Sequence, residues 1–278
     1  TADSSLRSTE FHRVIQPIEG KNISNLNWGT SNAKTLTLTF YVKSSLTGQY
    51  YVSVFNNAAD RTLLKGYTIS SANTWEKKTI TIAGNTSDAI NNDTGIGLEV
   101  NWTLCVGSGR QASATSSWTS GGYYVATSNQ VNLWDHADNY FKMTGCQLEV
   151  GTVATPFEHR SFSEELQRCL RYYEKSFRYA TIPTNNASSS SINMTGSFFT
   201  DSHNNSNRGV VRFQVEKRAS PSLTKYGNSQ GRWYSPSTGF HANNNTANGP
   251  DETGFYPRQQ ASGSVIRMQG HYAADAEL

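Results

Sequence analysis

The sequence predicts an all-β protein: an antiparallel jelly-roll β-sandwich, one connecting α-helix, and then a second small β-sandwich-like domain. Three observations favour this fold class. Residues 34–150 contain short runs of alternating apolar and polar residues separated by turn residues, which is typical of half-buried strands. No helical repeat interrupts these runs, although a βαβ domain would need one. Residues 161–177 then change to helical spacing.

The composition is poor in charge and rich in amide and hydroxyl side chains. Charged residues make up 16% of the chain, against about 25% in ordinary soluble domains. Asn, Ser, Thr and Gly replace them, which suits a β protein with many turns. Such a surface can hydrogen-bond to sugars, and it equally suits an extracellular β protein that binds no ligand.

Charge and hydropathy argue against two classes of partner. The net charge is +3 and the Lys and Arg residues are scattered, so the basic patch that marks nucleic-acid binding is missing from the sequence. No apolar stretch approaches the roughly 20 residues that a membrane span needs, so we predict no membrane insertion.

The first predicted domain is built from successive strands. In the run 35–43, TLTLTFYVK, alternate residues such as Leu38 and Phe40 share one face. Trp75 and Trp102 fit the same kind of alternation, so we predict that both lie in the core. The remaining predicted strands are 49–56, 61–69, 75–82, 96–106, 123–127, 130–134 and 140–150.

A capped amphipathic helix connects the two predicted domains. Ser161, followed three residues later by Glu164, has the pattern of a capping box, and apolar residues recur at helical spacing as far as Phe177. The apolar stripe is wide enough for the helix to dock the two domains or to pack around a three-fold axis. The predicted boundaries are 1–157 for the jelly-roll domain, 158–180 for the linker with the helix, and 181–278 for the C-terminal domain.

The C-terminal domain is the predicted receptor-binding tip. It contains few large aliphatic residues, so the core of a monomer would be thin. A homo-oligomer that shares one core would relieve this, and a trimer is the favoured form. The predicted strands are 192–200, 209–215, 222–226, 254–258 and 264–272.

The three cysteines, Cys105, Cys146 and Cys169, are odd in number and widely spaced. This pattern argues against a disulfide framework. We predict reduced, mostly buried thiols, which fits assembly in a bacterial cytoplasm.

Motifs for catalysis and metal binding are weak. The acidic residues lie mostly in predicted turns, where Asp commonly bonds to nearby backbone, and they do not suggest the carboxylate pair of a glycosidase. The sequence has no G-x-S-x-G elbow, and its six His residues are isolated. We predict no catalysis, no cofactor and no metal site, although a structural calcium ion held by oxygen ligands from distant loops would leave no sequence signal.

Aromatic residues beside polar side chains are the candidate ligand contacts. The C–H face of a sugar ring packs on a flat aromatic ring, while the sugar hydroxyls need amide, carboxylate or guanidinium partners. Local packing of these rings is the alternative for each of them. The candidates are Trp118, Tyr124 and Trp134 in the first domain, and Arg232, Trp233 and Tyr234 in the C-terminal domain.

The segment 147–173, QLEVGTVATPFEHRSFSEELQRCLRYY, resembles a linker that closes a jelly-roll domain in phage tail fibre and minor tail proteins. The runs WGTSNAKTLTLTFYVKSSLTGQYYVSVFN and GIGLEVNWTLCVGSG are similar to the jelly-roll modules of tail fibres, and the likeness covers roughly residues 1–175. It implies a protein of the virion tail, assembled in the host cytoplasm, that attaches to a bacterial surface glycan or outer-membrane receptor. The abrupt N-terminus predicts further tail or fibre segments upstream.

Three functions follow as alternatives. The first is a tail fibre or tail-tip adhesin that binds its receptor without catalysis and gains avidity from several weak sites. The second is a polysaccharide-degrading tail enzyme, or the accessory carbohydrate-binding module of one. The third is a purely structural spacer of the virion.

Overall fold

The computed structural model describes residues 2–113, 117–120, 122–185, 197–200, 210–227, 233, 245–259 and 266–278. The chain divides into two compact units, Thr1–His159 together with Leu278, and Arg160–Glu277. The first unit ends close to the predicted boundary at 157. The predicted connecting helix belongs to the second unit rather than to a separate linker.

The first unit is an antiparallel β-sandwich, which confirms the predicted fold class. One sheet has the strand order β1-β6-β3-β4-β7 and the other has the order β5-β2-β8. The chain changes sheet five times, at β1–β2, β2–β3, β4–β5, β5–β6 and β7–β8, as it does repeatedly in double-sheet jelly rolls. The elements are β1 (Phe11–Glu19), α1 (Gly20–Ile23), β2 (Leu36–Ser44), β3 (Gly48–Asn56), β4 (Arg61–Ile69), β5 (Glu76–Ile82), β6 (Ile96–Val106), β7 (Thr119–Ser120) and β8 (Phe141–Val150).

The core of the first unit lies between the two sheets, and Phe40 on β2 is near its centre. Phe40 is fully buried. Its ring makes edge contacts with two rings of the opposite sheet, Tyr67 at 5.2 Å and Trp102 at 5.8 Å between centroids. Alternate residues of β2 and β3 join the same cluster, as the period-two pattern predicts. The prediction that Trp102 is a core residue is therefore confirmed.

Three details of the first unit differ from the predictions. The strand β1 was not predicted from its sequence. Trp75 is 46% exposed, because it lies just before β5 rather than within the sandwich. The segments 123–127 and 130–134 are not strands. Residues 123–126 instead cover the outer face of the five-stranded sheet, where Val125 and Ala126 are buried against it. In the second segment, Val131 packs against the main core.

The described part of the second unit combines one helix with short antiparallel strands. Its sheets have the orders β12-β16-β9, β11-β14-β13 and β10-β15. A small aromatic cluster that includes Trp233, Phe255 and Tyr272 forms its core. The elements are α2 (Phe162–Leu170), β9 (Tyr173–Lys175), β10 (Ser197–Thr200), β11 (Val211–Arg212), β12 (Ser222–Tyr226), β13 (Asn245–Asn248), β14 (Gly254–Gln259), β15 (Ile266–Gln269) and β16 (His271–Asp275).

The helix α2 begins as predicted and ends earlier than predicted. Ser161 and Glu164 form the reciprocal capping box. The helical spacing predicted continuation to Phe177, but the helix stops at Leu170. It ends there because Tyr173 starts a strand that pairs with β16. Phe162, at the start of the predicted apolar stripe, is 74% exposed.

Two of the three cysteines differ from the prediction of mostly buried thiols. All three are free, and Cys105 is buried on β6 as predicted. Cys146 is exposed because it lies on β8, at the edge of the three-stranded sheet, and Cys169 is exposed on α2. In the part of the chain that the structure describes, no helix has the length and apolar character needed to cross a membrane.

A buried ion pair joins four segments of the second unit. Lys217 is 1% exposed and its Nζ lies 2.7 Å from Oε2 of Glu174. The same ammonium group donates to the carbonyl oxygens of Leu170 and Val215. The hydroxyl of Tyr272 donates to the other Glu174 oxygen at 2.9 Å. Because both charges are hydrogen-bonded, the pair satisfies the condition under which buried charges are tolerated.

His271 is a second buried titratable group of this unit. It is 3% exposed and stacks on Phe177 with 4.1 Å between ring centroids. Its Nδ1 lies 3.0 Å from the hydroxyl oxygen of Ser176. Burial lowers the pKa of His271 more than the Ser176 contact raises it. The imidazole therefore resists protonation in the folded state.

We expect this histidine to make the second unit sensitive to acid. An unfolded His has a pKa of about 6.5. As the pH falls below this value, His271 binds a proton in the unfolded chain but stays neutral in the folded chain. The free energy of unfolding therefore decreases. The variant His271→Phe should lose part of this pH dependence, while His136→Gln, a change at an exposed His of the first unit, should retain it.

Hydrogen exchange of β16 peptides at pH 5 and pH 7.5 measures the effect. Equal pH dependence of protection in the wild type and in His271→Phe would contradict the prediction. The comparison between variants removes the contribution of the carboxylates, which also titrate toward acid pH.

Candidate ligand site

An open recess on the first unit brings Trp134 together with the N-terminal segment. It encloses about 580 Å³, which is within the range of sites for small ligands. We call it the Trp134 recess. Its lining residues are Ala2, Asp3, Leu6, Thr9, Glu10, Phe11, His12 and Trp134.

The ring of Trp134 forms an ordered aromatic plate. It stacks on the imidazole of His12 with 4.3 Å between centroids and 3° between planes. His12 lies on β1 and is exposed. The stack fixes the plane of the indole. The Trp134 side chain would therefore lose little further conformational freedom when a sugar ring packs against it.

Backbone and side-chain hydrogen bonds hold Trp134 in this position. The Asn132 side chain caps a short 3₁₀ helix, Leu133–Asp135, by accepting from the Trp134 backbone N–H at 3.0 Å. Asn132 also donates to the carbonyl of Asp3 at 3.1 Å, and the Asp3 N–H donates to the Trp134 carbonyl at 2.7 Å. The N-terminal segment and the loop before β8 therefore position each other.

Two carboxylates line the same recess. Asp3 accepts from the Ser5 N–H at 2.8 Å. Glu10 accepts from the Arg7 N–H at 2.8 Å and also lies 3.5 Å from the Arg7 guanidinium. A carboxylate has about four acceptor positions, so each group can still accept from a ligand hydroxyl. The recess therefore offers a flat aromatic ring for the C–H face of a sugar and acceptors for the sugar hydroxyls.

The other two first-unit candidates lie in separate surroundings. Trp118 packs edge-on against Trp28 at 5.1 Å, and its indole N–H donates to the carbonyl of Ala83 at 3.0 Å. Tyr124 packs against the cluster on the outer face of the five-stranded sheet. Neither residue lines the Trp134 recess. Both side chains therefore pack locally, which is the alternative to a ligand contact for these rings.

The C-terminal candidates do not form a described site. Trp233 is fully buried, and its indole N–H donates to the carbonyl of His271 at 3.0 Å. Its ring stacks near that of Phe255, with 6.2 Å between ring centroids, so the structure places Trp233 in the core of the second unit. Its role as a ligand contact stays a prediction. Arg232 and Tyr234 lie outside the described residues.

The residues that surround Trp134 were not predicted from the sequence. His12, Asp3 and Glu10 are separated from Trp134 by more than a hundred positions. The segment EFHRVIQPIE, which begins at residue 10, does contain the β-branched residues of a strand. That signal could have located β1, although it could not have shown that His12 stacks on Trp134.

Glu99 is a buried acid on β6. Burial raises the pKa of Glu99, and the neighbouring Arg13 partly opposes this. The Arg13 guanidinium lies 3.4 Å from the carboxylate and 4.8 Å from the ring centre of Tyr123, whose hydroxyl donates to Glu99. This cluster joins β1, β6 and the covering loop, and it does not line the Trp134 recess.

Metal ligands are not gathered in the described part of the chain. Within the described residues, no group of three or more His, Cys, Asp or Glu side chains is placed to hold a metal ion.

Comparisons with known proteins place the chain in no family. No protein-family model matches it, and no curated protein matches it. Among solved structures it is similar to wild-type discoidin II from Dictyostelium discoideum, with 11% sequence identity and a TM-score of 0.18, over 98% of this chain and 78% of that chain. A TM-score this low carries no argument about fold or function.

Proposed function

We propose that this protein is an adhesin of a phage tail fibre or tail tip that binds a bacterial surface glycan without breaking it. The Trp134 recess is the proposed binding site. The observation that carries this proposal is the parallel stack of His12 and Trp134 beside two carboxylates in one open recess. The resemblance of residues 147–173 to tail-protein linkers supports the virion context.

The proposed mechanism is stacking plus hydrogen bonding. The apolar face of a sugar residue packs on the fixed indole plane, and its hydroxyls donate to Asp3 and Glu10. Because the recess is open, a bound sugar stays solvated on one side, and we expect one site to bind weakly. A homotrimer would present three such sites, and their simultaneous engagement would raise the overall affinity by several orders of magnitude.

The variant Trp134→Ala should abolish most glycan binding. Truncation of an anchoring Trp commonly costs about 2 kcal/mol or more, which corresponds to a roughly 30-fold weaker Kd. Trp75→Ala is the matched control, because Trp75 is an exposed Trp of the same unit outside the recess. Binding of the labelled protein to an array of bacterial polysaccharides, and to host cells, measures both variants.

Other outcomes would support the alternative functions. Release of sugars from a bound polysaccharide would favour the enzyme. Absence of binding to every polysaccharide and host strain tested would favour the structural spacer. Equal loss of binding in Trp134→Ala and Trp75→Ala would remove the Trp134 recess as the site while leaving the adhesin open. Light scattering of the purified protein tests the trimer.

A further inference from the structure

The lining of the Trp134 recess is negatively charged. Asp3 and Glu10 contribute two half-buried carboxylates. Among the described lining residues there is no Lys or Arg, and His12 is the only side chain that can become positive. The uncharged lining residues are Ala2, Leu6, Thr9, Phe11 and Trp134. With His counted as neutral at pH 7, the two carboxylates leave the lining without a compensating positive charge.

Arg7 lies outside this lining, although it forms an ion pair with Glu10. Its Nε is 3.5 Å from Oε1 of Glu10, and its side chain is 86% exposed. An exposed pair of this kind is weak, because water and salt screen it. Asp3 accepts from the backbone N–H of Ser5, which is an uncharged donor. Arg7 therefore reduces the negative charge at the recess without removing it.

A recess lined by charge of one sign favours ligands of the opposite sign. Its volume of about 580 Å³ corresponds to a space on the order of 10 Å across. This is comparable with the Debye length of about 8 Å at physiological ionic strength, so a bound group interacts with both carboxylates. A uronate or a phosphate would be repelled, and it would find no Lys or Arg among the described lining residues. An ammonium group would be attracted.

The indole ring of Trp134 favours the same sign of charge. The face of an aromatic ring is negative, and among aromatic side chains Trp attracts cations most strongly. An ammonium group offers N–H donors and no acceptor, whereas an ionised carboxylate only accepts. Hydrogen bonds between two such charged groups are shorter and stronger than those from a neutral hydroxyl. The ring and the carboxylates Asp3 and Glu10 therefore select for the same ligand chemistry.

We propose that the Trp134 recess selects amino sugars that keep a free, protonated amine, in preference to neutral and acidic sugars. The pyranose face packs on Trp134, and the ammonium group at the edge of the sugar ring binds Asp3 and Glu10. This inference rests on the proposed function, since it names the class of sugar bound at the same site. The expected receptor is a surface polysaccharide that contains amino sugars without N-acetyl groups.

Three tetrasaccharides with the same linkage test this selectivity. Cellotetraose, the N-acetylglucosamine tetramer and the glucosamine tetramer differ only at carbon 2 of each ring, which carries a hydroxyl, an acetamide or an ammonium group. Isothermal titration calorimetry at pH 6.5 and low salt measures their Kd values. We expect the glucosamine tetramer to bind at least tenfold more tightly than the other two. In 1 M NaCl this advantage should fall to about threefold or less, because salt screens the carboxylates.

A pair of charge-neutralising variants identifies the source of the selectivity. Asp3→Asn removes one charge and keeps an oxygen that can accept from the Ser5 N–H. It should weaken binding of the glucosamine tetramer about tenfold and that of cellotetraose less than twofold. Asp60→Asn is the matched control, because Asp60 is exposed, lies outside the recess and has a left-handed φ of 47° that Asn tolerates. It should leave both Kd values unchanged.

Glu10→Gln takes the place of Asp3→Asn if circular dichroism shows that the latter is unfolded. A glucosamine advantage that survives both substitutions in folded proteins would overturn the inference, because the recess carboxylates would not be its cause.

The same measurements separate this inference from the proposed function. Equal Kd values for the three tetrasaccharides, each weakened by Trp134→Ala, would overturn the selectivity and leave the glycan site in place. Tighter binding of the N-acetylglucosamine tetramer would have the same meaning. Binding of none of the three would also overturn the selectivity, and the polysaccharide array would then decide the proposed function by itself.

Discussion

Replacement of Lys217 by Met should destabilise the second unit by about 3–5 kcal/mol, the usual cost of removing one partner of a buried ion pair. The variant leaves Glu174 buried at 2% exposure with a negative charge and without its cation. It also removes the donor that holds the carbonyl of Leu170, the last residue of α2. The end of α2, the strand β9 and the segment at Val215 would therefore lose the contact that they share with Lys217.

Tyr272 does not compensate for the lost cation. Burial, together with the nearby charge of Glu174, raises the pKa of Tyr272 well above its ordinary value. Its hydroxyl thus stays protonated and can donate one neutral hydrogen bond to the carboxylate. A neutral donor offsets less of the desolvation of an anion than an ammonium group does.

Hydrogen exchange of peptides from α2 and β16 measures this effect separately from the first unit. The control is the double variant Lys217→Met with Glu174→Leu. It should be more stable than Lys217→Met alone, because no unpaired charge remains. A decrease of less than about 0.5 kcal/mol in the free energy of opening derived from these exchange rates in Lys217→Met would contradict this account of the ion pair.

The substitution Phe40→Ala should have a comparable effect on the first unit. Truncation of a fully buried Phe commonly costs about 3–5 kcal/mol, since it removes apolar contacts and leaves a cavity. Phe40 contacts rings of the opposite sheet, so the cavity would lie between the sheets and neither sheet could close it alone.

Tyr41→Ala is the matched control for Phe40→Ala. Tyr41 is the next residue of β2, points to the opposite face of the sheet, and is 42% exposed. We expect its truncation to cost about 1 kcal/mol or less, as for most changes at exposed positions. Denaturant unfolding followed by tryptophan fluorescence compares the two variants. Equal midpoints would contradict the placement of the core between the sheets.

Much of the sandwich could be predicted because strand alternation is a local property. A strand that buries one face must repeat with period two, and Leu38, Phe40 and Trp102 obey this rule. The capping box of Ser161 and Glu164 was likewise predictable, since its partners are three residues apart. The end of α2 was not, because helical spacing continues in the sequence while pairing of Tyr173 with β16 overrides it.

The candidate sites depend on contacts between distant parts of the chain. Trp134 could be selected from the sequence as an aromatic ring beside polar residues, and so could Trp233. The sequence alone did not show that the Trp134 ring lines an open recess while the Trp233 ring is buried in a core. Packing decided that difference, because burial depends on which remote segments cover a ring.

The sequence by itself determined the all-β class, the inward faces of the main strands, and the capped start of α2. Each depends on residues within a few positions of one another, whose spacing sets the local backbone geometry. Only the tertiary structure decided that Asp3 and His12 meet Trp134, and that the lining of their shared recess is negatively charged. Those features arise from pairing and coverage between segments far apart in the chain, which local periodicity does not encode.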